Sequence, residues 1–212
     1  MFSLANEIGG QVIGAFENNV LVGFVTSFVG CRAGCVYLHS HILAVLPSHR
    51  DRGIGRSLKL AQREEAISRG IKLIEWTFDP LRIKNAYFNI NRLGVIVRCY
   101  SQCHYGTLLS SLDNGLPTDR VTAEWWITSA RVQTLLETGK LPEYQVVQQA
   151  RVPGKVEEWR KSTANRKRAL KLQRENGDLL SSSFSKGLSV LQYSIEQDGS
   201  GTFLLGRLED MH

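Results

Sequence analysis

The stretch that decides the fold is Tyr37–Gly70, which reads YLHSHILAVLPSHRDRGIGRSLKLAQREEAISRG. It begins as an apolar run that carries two histidines, His39 and His41, and that stops at Pro47. A basic loop with two glycines follows, and beyond Gly55 apolar residues recur at helical spacing up to the final glycine. This order predicts a buried strand, a turn suited to an anion, and a helix.

The loop Arg50–Gly55 has the chemistry of a phosphate site. Glycine lets the backbone approach a ligand closely, and the unpaired N–H groups at a helix start attract anions together with the helix dipole. Arg50, Arg52 and Arg56 add guanidinium groups, whose geometry suits phosphate. The pattern GxxxxGK[ST] is absent, and Leu58 stands where a dinucleotide fingerprint needs its third glycine. A plain strand–turn–helix junction is the alternative interpretation.

Strands and helices alternate along the first 128 residues, which predicts a mixed α/β sheet. A hairpin is expected at 12–16 and 20–28, around the turn residues ENN. Further strands are predicted at 36–47, 71–78, 95–100 and 120–127, and helices at 55–70 and 85–93. Residues 1–128 are therefore predicted to form the core. Residues 129–212 are predicted to form a C-terminal extension with a basic helix at 155–176 and a β-hairpin at 188–208.

Composition places the chain among globular proteins. The chain has 212 residues, a hydrophobic fraction of 42% and a net charge of +6. No apolar run has the length of about 18 residues that spans a bilayer, and the N-terminus lacks the features of a secretory signal, so a cytoplasmic protein is expected. The pairs Cys31/Cys35 and Cys99/Cys103 have three intervening residues, a spacing that a zinc site tolerates but does not usually have, so no metal is expected.

The positive charge is concentrated in one segment. Residues 151–174 hold nine Lys or Arg against two acids, a local charge of +7, so the rest of the chain is close to neutral. A solvated basic helix is one interpretation, and a module that binds nucleic acid or another polyanion is the other.

Two segments resemble motifs of the GNAT superfamily of N-acetyltransferases. HILAVLPSHRDRGIGRSLKLAQREEA is similar to motif A, and NAYFNINRLGV is similar to the N-x-x-A…LGF segment. The longer stretch 37–127 resembles one branch of predicted GNAT acetyltransferases through YLHSHxLxVLP, WTFDP, NRLGV and LPTDR…EWW. The resemblance implies a GNAT-like acyl-CoA N-acyltransferase fold, here without the strand and helices that usually precede the hairpin.

By that resemblance the co-substrate is acetyl-CoA. The backbone of Leu43, Ala44 and Val45 is expected to pair with the pantetheine arm, and Asn85 is expected to contact the cofactor. The pyrophosphate is expected on the amides of Arg50, Asp51, Arg52, Gly53, Ile54, Gly55 and Arg56.

The two histidines predict a base for amine acetylation. Side chains alternate along a strand, so His39 and His41 face one side and share it with Leu43 unless a bulge intervenes. An alkylamine is mostly protonated at neutral pH, so a histidine base is useful. The H-x-H-x-LAV order also resembles the paired histidines of serotonin N-acetyltransferases. His41 is the predicted base and His39 its relay partner, while a hydrogen-bonded core pair is the alternative.

The general acid is missing from its usual place, because Ile90 stands where many GNAT members have a tyrosine. Tyr100 is the predicted substitute, with Tyr87 and Tyr105 as alternatives. Glu75 is either a base that acts through water or a solvated edge residue, and the second interpretation is favoured.

The resemblance implies N-acetylation of a small-molecule amine by direct attack. A degenerate acyl-CoA-binding protein and a polyanion-binding module are the alternatives. A homodimer is expected through the exposed first strand, whereas nucleic acid and membrane partners are not.

Overall fold

A computed structural model of the protein describes residues 1–106 and 116–208, and the chain separates into two units. The first unit holds Met1–Trp76 and Glu124–Ser129, and the second holds Thr77–Ala123 and Ala130–His212. These units cut the chain elsewhere than at 128/129, so the predicted domain boundary stays a prediction.

The first unit is a sheet with the predicted strand–loop–helix order at its centre. Its strands follow the order β1-β2-β3-β4-β6, with β1–β2 and β2–β3 antiparallel and β3–β4 parallel. The β1–β2 turn uses Asn18 and Asn19, both at positive φ, as the ENN sequence predicts. Helix α2 covers one sheet face and buries Leu58 and Ala66. The elements are α1 (Phe2–Glu7), β1 (Gln11–Glu17), β2 (Val20–Arg32), β3 (Cys35–Val45), a 3₁₀ turn (Pro47–His49), α2 (Ile54–Ser68), β4 (Leu73–Phe78) and β6 (Arg120–Trp126).

The second unit contains the predicted C-terminal hairpin, β8–β9, which is confirmed. Its strands follow the order β6-β5-β8-β9-β7, and the pairs β5–β8, β8–β9 and β9–β7 are antiparallel. The elements are α3 (Ile83–Tyr87) with a π-helical turn (Phe88–Arg92), β5 (Ile96–Ser101), α4 (Ala130–Thr138), β7 (Gln148–Val152), α5 (Val156–Lys161), α6 (Arg166–Ser185), β8 (Leu188–Ile195) and β9 (Gly201–Arg207).

The single basic helix predicted at 155–176 is wrong. The helix is interrupted between α5 and α6. There the Asn165 N–H donates to the carbonyl oxygen of Ser162 at 3.2 Å and to its hydroxyl at 3.3 Å, which closes a turn. Helix α6 then continues past Gly177. This glycine lies against the Tyr100 ring, where a larger residue would not fit, so close packing accounts for a glycine inside the helix. The short elements α1, α4 and β7 were not predicted.

Part of the basic segment 151–174 is neutralised by neighbouring acids. Arg151 pairs with Glu196 and Asp198 at 2.9 and 2.8 Å, and the buried Arg160 lies 2.7 Å from Asp79. The exposed remainder lies mainly along α6, where Lys167, Lys171 and Arg174 line one side of the helix.

The four cysteines are exposed thiols. Over residues 1–106 and 116–208, no group of three or more His, Cys, Asp or Glu side chains is arranged to hold a metal ion. The same residues include no helix with the length and apolar character of a membrane span.

We expect Gly177→Ala to destabilise the protein, although the same change at an open helical site is favourable by about 1 kcal/mol. A Cβ atom at this position would lie 2.8 Å from the Tyr100 hydroxyl and 2.9 Å from Cζ. Overpacking of this kind costs about 1–3 kcal/mol, which chemical denaturation measures. Ser181→Ala on the exposed side of α6 is the control, and a more stable Gly177→Ala protein would contradict the packing.

Candidate functional site

The site begins where β3 parts from β4. Within the described residues, the two parallel strands pair only at Leu38 with Ile74 and at His39 with Glu75. Strand β3 continues to Val45 with β2 on its other edge. Beyond His39, residues 40–44 have no pairing with β4 in the described part of the chain, so a ligand could add to this edge like a strand.

A β-bulge lies just beyond the point of parting. Thr26 pairs with Ile42 and Ser27 pairs with Ser40, so His41 is the extra residue in β3. A bulge shifts the alternation of side chains by one residue. The side chain of Leu43 consequently lies beside α2, 3.5 Å from where a Cβ of Gly55 would stand, and it does not share the histidine face.

The two predicted histidines lie together on the sheet face opposite α2. Their ring centroids are 6.4 Å apart, and His41 makes an edge contact with Phe28, the register partner of His39, at 5.3 Å. His41 is exposed and His39 is half-buried. The pair therefore has one imidazole that meets solvent and one that lies within the sheet.

Glu75 is beside His39 in the parallel register, and its placement as a solvated edge residue is wrong. It is buried, lies on an interior strand and forms an ion pair with the exposed Arg32. Arg32 in turn stacks over Tyr37 at 4.9 Å from the ring centroid. This carboxylate is held by a cation, which disfavours a role as a free base.

The loop after β3 has the geometry that anion binding needs. Gly53 precedes α2 at φ +82°, with no atom within 4 Å of where its Cβ would stand, and Asp51 also has a positive φ, +59°. The Ser57 N–H bonds the carbonyl of Gly53, so the amides before Ser57 belong to the first helical turn and have no acceptor within the helix. They are free to face an anion.

The loop cations differ in their surroundings. Arg50 Nε donates to the Val45 carbonyl at 3.2 Å, which ties this side chain to the end of β3. Arg56 lies in the first turn of α2, and its Nε is buried and lacks a hydrogen-bond partner among the described residues. Arg52 instead pairs with Glu17 at 2.6 Å.

Glu17, at the end of β1, is an internal anion beside this loop. Besides Arg52, its carboxylate contacts His49 Nε2 at 3.0 Å. The hydrogen bonds from Arg52 and then His49 lower the pKa of Glu17, so it is ionised at neutral pH. Sequence reasoning missed this contact, because 35 residues separate Glu17 from Arg52 and no local pattern signals their approach.

The remaining predicted residues belong to the second unit. Tyr100 donates from its hydroxyl to Asp119 at 2.5 Å, and burial and then this carboxylate raise the pKa of the phenol. Tyr105 is exposed, and its hydroxyl lies 3.1 Å from Thr77 Oγ1. Asn85 is exposed on α3. Their catalytic or binding roles stay predictions.

One family of known proteins matches part of this chain. Residues 3–88 match the model of the acetyltransferase (GNAT) family. This match agrees with the predicted resemblance, and the predicted mixed α/β fold is confirmed by the elements themselves. No curated protein matches the chain.

Several solved structures are similar to part of this chain. A GNAT family acetyltransferase from Elizabethkingia anophelis with acetyl-CoA bound has a TM-score of 0.48 and 16% identity, over 58% of this chain and 82% of its own. Arabidopsis thaliana Naa50 in complex with a bisubstrate analogue has 0.43 and 18%, over 52% and 69%. Aminoglycoside 6'-acetyltransferase type Ii has 0.45 and 21%, over 59% and 76%. These likenesses are partial and indicate no substrate.

We expect Glu17→Gln to raise the affinity for coenzyme A, since it frees Arg52 and removes a charge that repels phosphate. Exposed ion pairs are individually weak, so the gain should be modest, at most about five-fold. Calorimetry at low salt measures it, and the gain should shrink at about 0.5 M salt. Glu7→Gln, the same charge change on α1, is the control; equal gains in both variants would contradict a local effect.

Proposed function

We propose that the protein is an acetyl-CoA-dependent N-acetyltransferase that transfers an acetyl group to the amine of a small-molecule acceptor by direct attack. The observation that carries this proposal is the parting of β3 from β4, which opens a backbone edge leading into the glycine loop and the first turn of α2. The histidine pair adjoins that edge at the bulge.

The donor would bind along the edge as an added strand. The backbone of Leu43, Ala44 and Val45 supplies hydrogen-bonding groups for the amides of the pantetheine arm. The amides of residues 50–56 supply donors for the pyrophosphate, and Arg52 and Arg56 supply charge. By the family resemblance, Asn85 is a further proposed contact of the cofactor.

The chemistry balances without an enzyme-linked intermediate. The amine nitrogen attacks the thioester carbonyl carbon, a C–N bond forms, and the C–S bond breaks to release the coenzyme A thiolate. Backbone N–H groups of β3 beyond the bulge would polarise the carbonyl oxygen. The amine proton passes to His41, with His39 as the relay partner.

The proton for the departing thiolate has two candidate donors. Tyr100 is the predicted one, but its hydroxyl proton is already directed to Asp119, and its pKa is raised. Tyr105 is exposed and has the freer hydroxyl. A Tyr105→Phe variant that loses activity where Tyr100→Phe does not would assign the donor.

We expect Gly53→Glu to abolish acetyl-CoA binding that the native protein shows by calorimetry. The variant adds a side chain and a negative charge where the structure leaves open space, and it strains a residue at φ +82° by about 1–2 kcal/mol. Gly34→Glu is a matched control, because Gly34 also has a positive φ, +78°, and open space, but lies at the opposite end of β3.

Loss of binding in Gly53→Glu alone would establish the loop as the donor site. Equal loss in both variants would reduce the effect to charge or strain. If the native protein binds no acetyl-CoA, the proposed function fails.

We expect His41→Ala to lower kcat for thiol release by about 10²–10⁴-fold, the usual contribution of a general base. A panel of amines with a thiol-trapping reagent measures the rate. The native pH–rate profile should rise with the deprotonation of a histidine, and this limb should disappear in the variant. Phe28→Leu, which alters the packing beside His41 and leaves the imidazole, should keep the limb; an unchanged profile in His41→Ala would exclude His41 as the base.

The alternative of a degenerate acyl-CoA-binding protein is supported by the commitment of Tyr100 to Asp119. Acetyl-CoA binding without thiol release across the panel would favour it. The exposed cations of α6 support the polyanion-binding alternative, which steeply salt-dependent RNA or DNA affinity would favour.

We also propose a cytoplasmic homodimer. The position of β1 at the sheet edge supports pairing with a second copy. Solution scattering that shows a monodisperse monomer would contradict it.

A further inference from the structure

A buried lysine lies beneath the bulge of β3. Lys59 projects from α2 toward the sheet and is only 3% exposed. Its amine donates to Ser40 Oγ at 2.7 Å and to Gln62 Oε1 at 3.0 Å, and it lies 3.6 Å from the centroid of the Trp76 ring. Within the described residues, no carboxylate pairs with it. A lysine is almost never fully buried without an ion pair, because its desolvation is costly.

The chemistry of the amine suits hydrogen bonding more than charge. Burial lowers the pKa of Lys59 well below its ordinary range. Ser40 Oγ and Gln62 Oε1 accept hydrogen bonds from the amine. The face of the Trp76 ring stabilises the positive charge of the protonated form. The Lys59 amine thus holds the Ser40 hydroxyl by a buried hydrogen bond.

That anchor is placed at the register shift. Ser40 is the residue before His41, and its partner across the strands is Ser27. Ser27 Oγ donates to Gln11 Oε1 at 3.0 Å, and Gln11 Nε2 donates to the Gln62 carbonyl at 3.0 Å. Ser27 and Ser40, the register pair on one side of the shift, are therefore both held from the α2 side by one buried network.

A bulge needs such a restraint because it can move along a strand. If the extra residue of β3 shifted by one position, the side chains between the old and new positions would exchange faces. His41 could then turn toward α2, and the open amides beyond it would change direction. The hydrogen bond from Lys59 to Ser40 is compatible with only one of these registers.

We propose that Lys59 is a positioning residue, which acts through Ser40 to hold the β3 bulge in the register that presents His41 and the following amides to the acetyl donor. The inference rests on the proposed function for its catalytic half. Its structural half, the pinned register, stands without it.

The structural half is tested by native-state hydrogen exchange in Lys59→Met, which keeps the length of the side chain and removes its hydrogen bonds. We expect amides of residues 40–43 to exchange about ten-fold faster while those of the β8–β9 hairpin stay unchanged, as in a local opening. Lys72→Met, an exposed lysine of the same unit, is the control and should change neither segment. Unchanged exchange at 40–43 in a folded Lys59→Met protein would overturn the inference.

The catalytic half is tested by kinetics of thiol release. In Lys59→Met we expect kcat to fall at least about ten-fold, since small misplacement of reacting groups is costly. KM for acetyl-CoA should stay within about two-fold, because the pyrophosphate loop is untouched. A structural defect alone would lower the active fraction and leave the histidine limb of the pH–rate profile in place, whereas misplacement of His41 should shift it.

Variants of Ser40 keep the test decisive if Lys59→Met does not fold. Ser40→Ala should reproduce the loss in kcat, and Ser40→Thr, which retains the hydroxyl, should restore most of it. The double variant should be no worse than either single change, because both break one link. Additive losses, or a native kcat in Ser40→Ala, would overturn the inference. A native protein that binds no acetyl-CoA would refute the proposed function, and exchange at 40–43 would still decide the register.

Discussion

The structure of the first unit depends on one constraint. Within the described residues, β3 pairs in parallel with β4 at only two positions and then continues with β2 on its other edge. Backbone groups in a sheet interior are normally satisfied by neighbouring strands, so an open inner edge calls for a partner of another kind. A ligand with amide groups of its own meets that need. The end of β3 leads through a short loop into the start of α2. One chain segment therefore carries both the open edge and the glycine turn.

The bulge at His41 turns this edge into a site with two faces. Before it, Ser40 faces α2 and His39 faces away; after it, Leu43 faces α2. The extra residue places Leu43 on the face that packs against α2. The opposite face carries two imidazoles, Phe28 and the ion-paired Glu75. The polar network around Lys59 lies on the first face, which explains why a buried amine is tolerated there.

Charge is handled differently in the two units. In the first, the loop between β3 and α2 has a counter-anion, Glu17, which pairs with Arg52. In the second, Arg151 and Arg160 pair with acids, while the cations of α6 remain at the surface. The exposed excess charge of the basic segment therefore lies mainly on one face of α6.

Local pattern alone determined the order of strand, loop and helix at 37–70, both hairpins and the family resemblance. Periodicity, glycine and proline act between near neighbours, and those signals are readable in sequence. Tertiary structure decided the rest. Gly177 stays inside α6 because Tyr100 packs on it, Glu75 is buried because β4 is an interior strand, and Glu17 reaches Arg52 across 35 residues. The sequence did not show whether β3 contains a bulge at His41. The position of the bulge depends on how Ser27 and Ser40 are held by side chains from β1 and α2. Such contacts between distant segments leave no periodic pattern in the sequence.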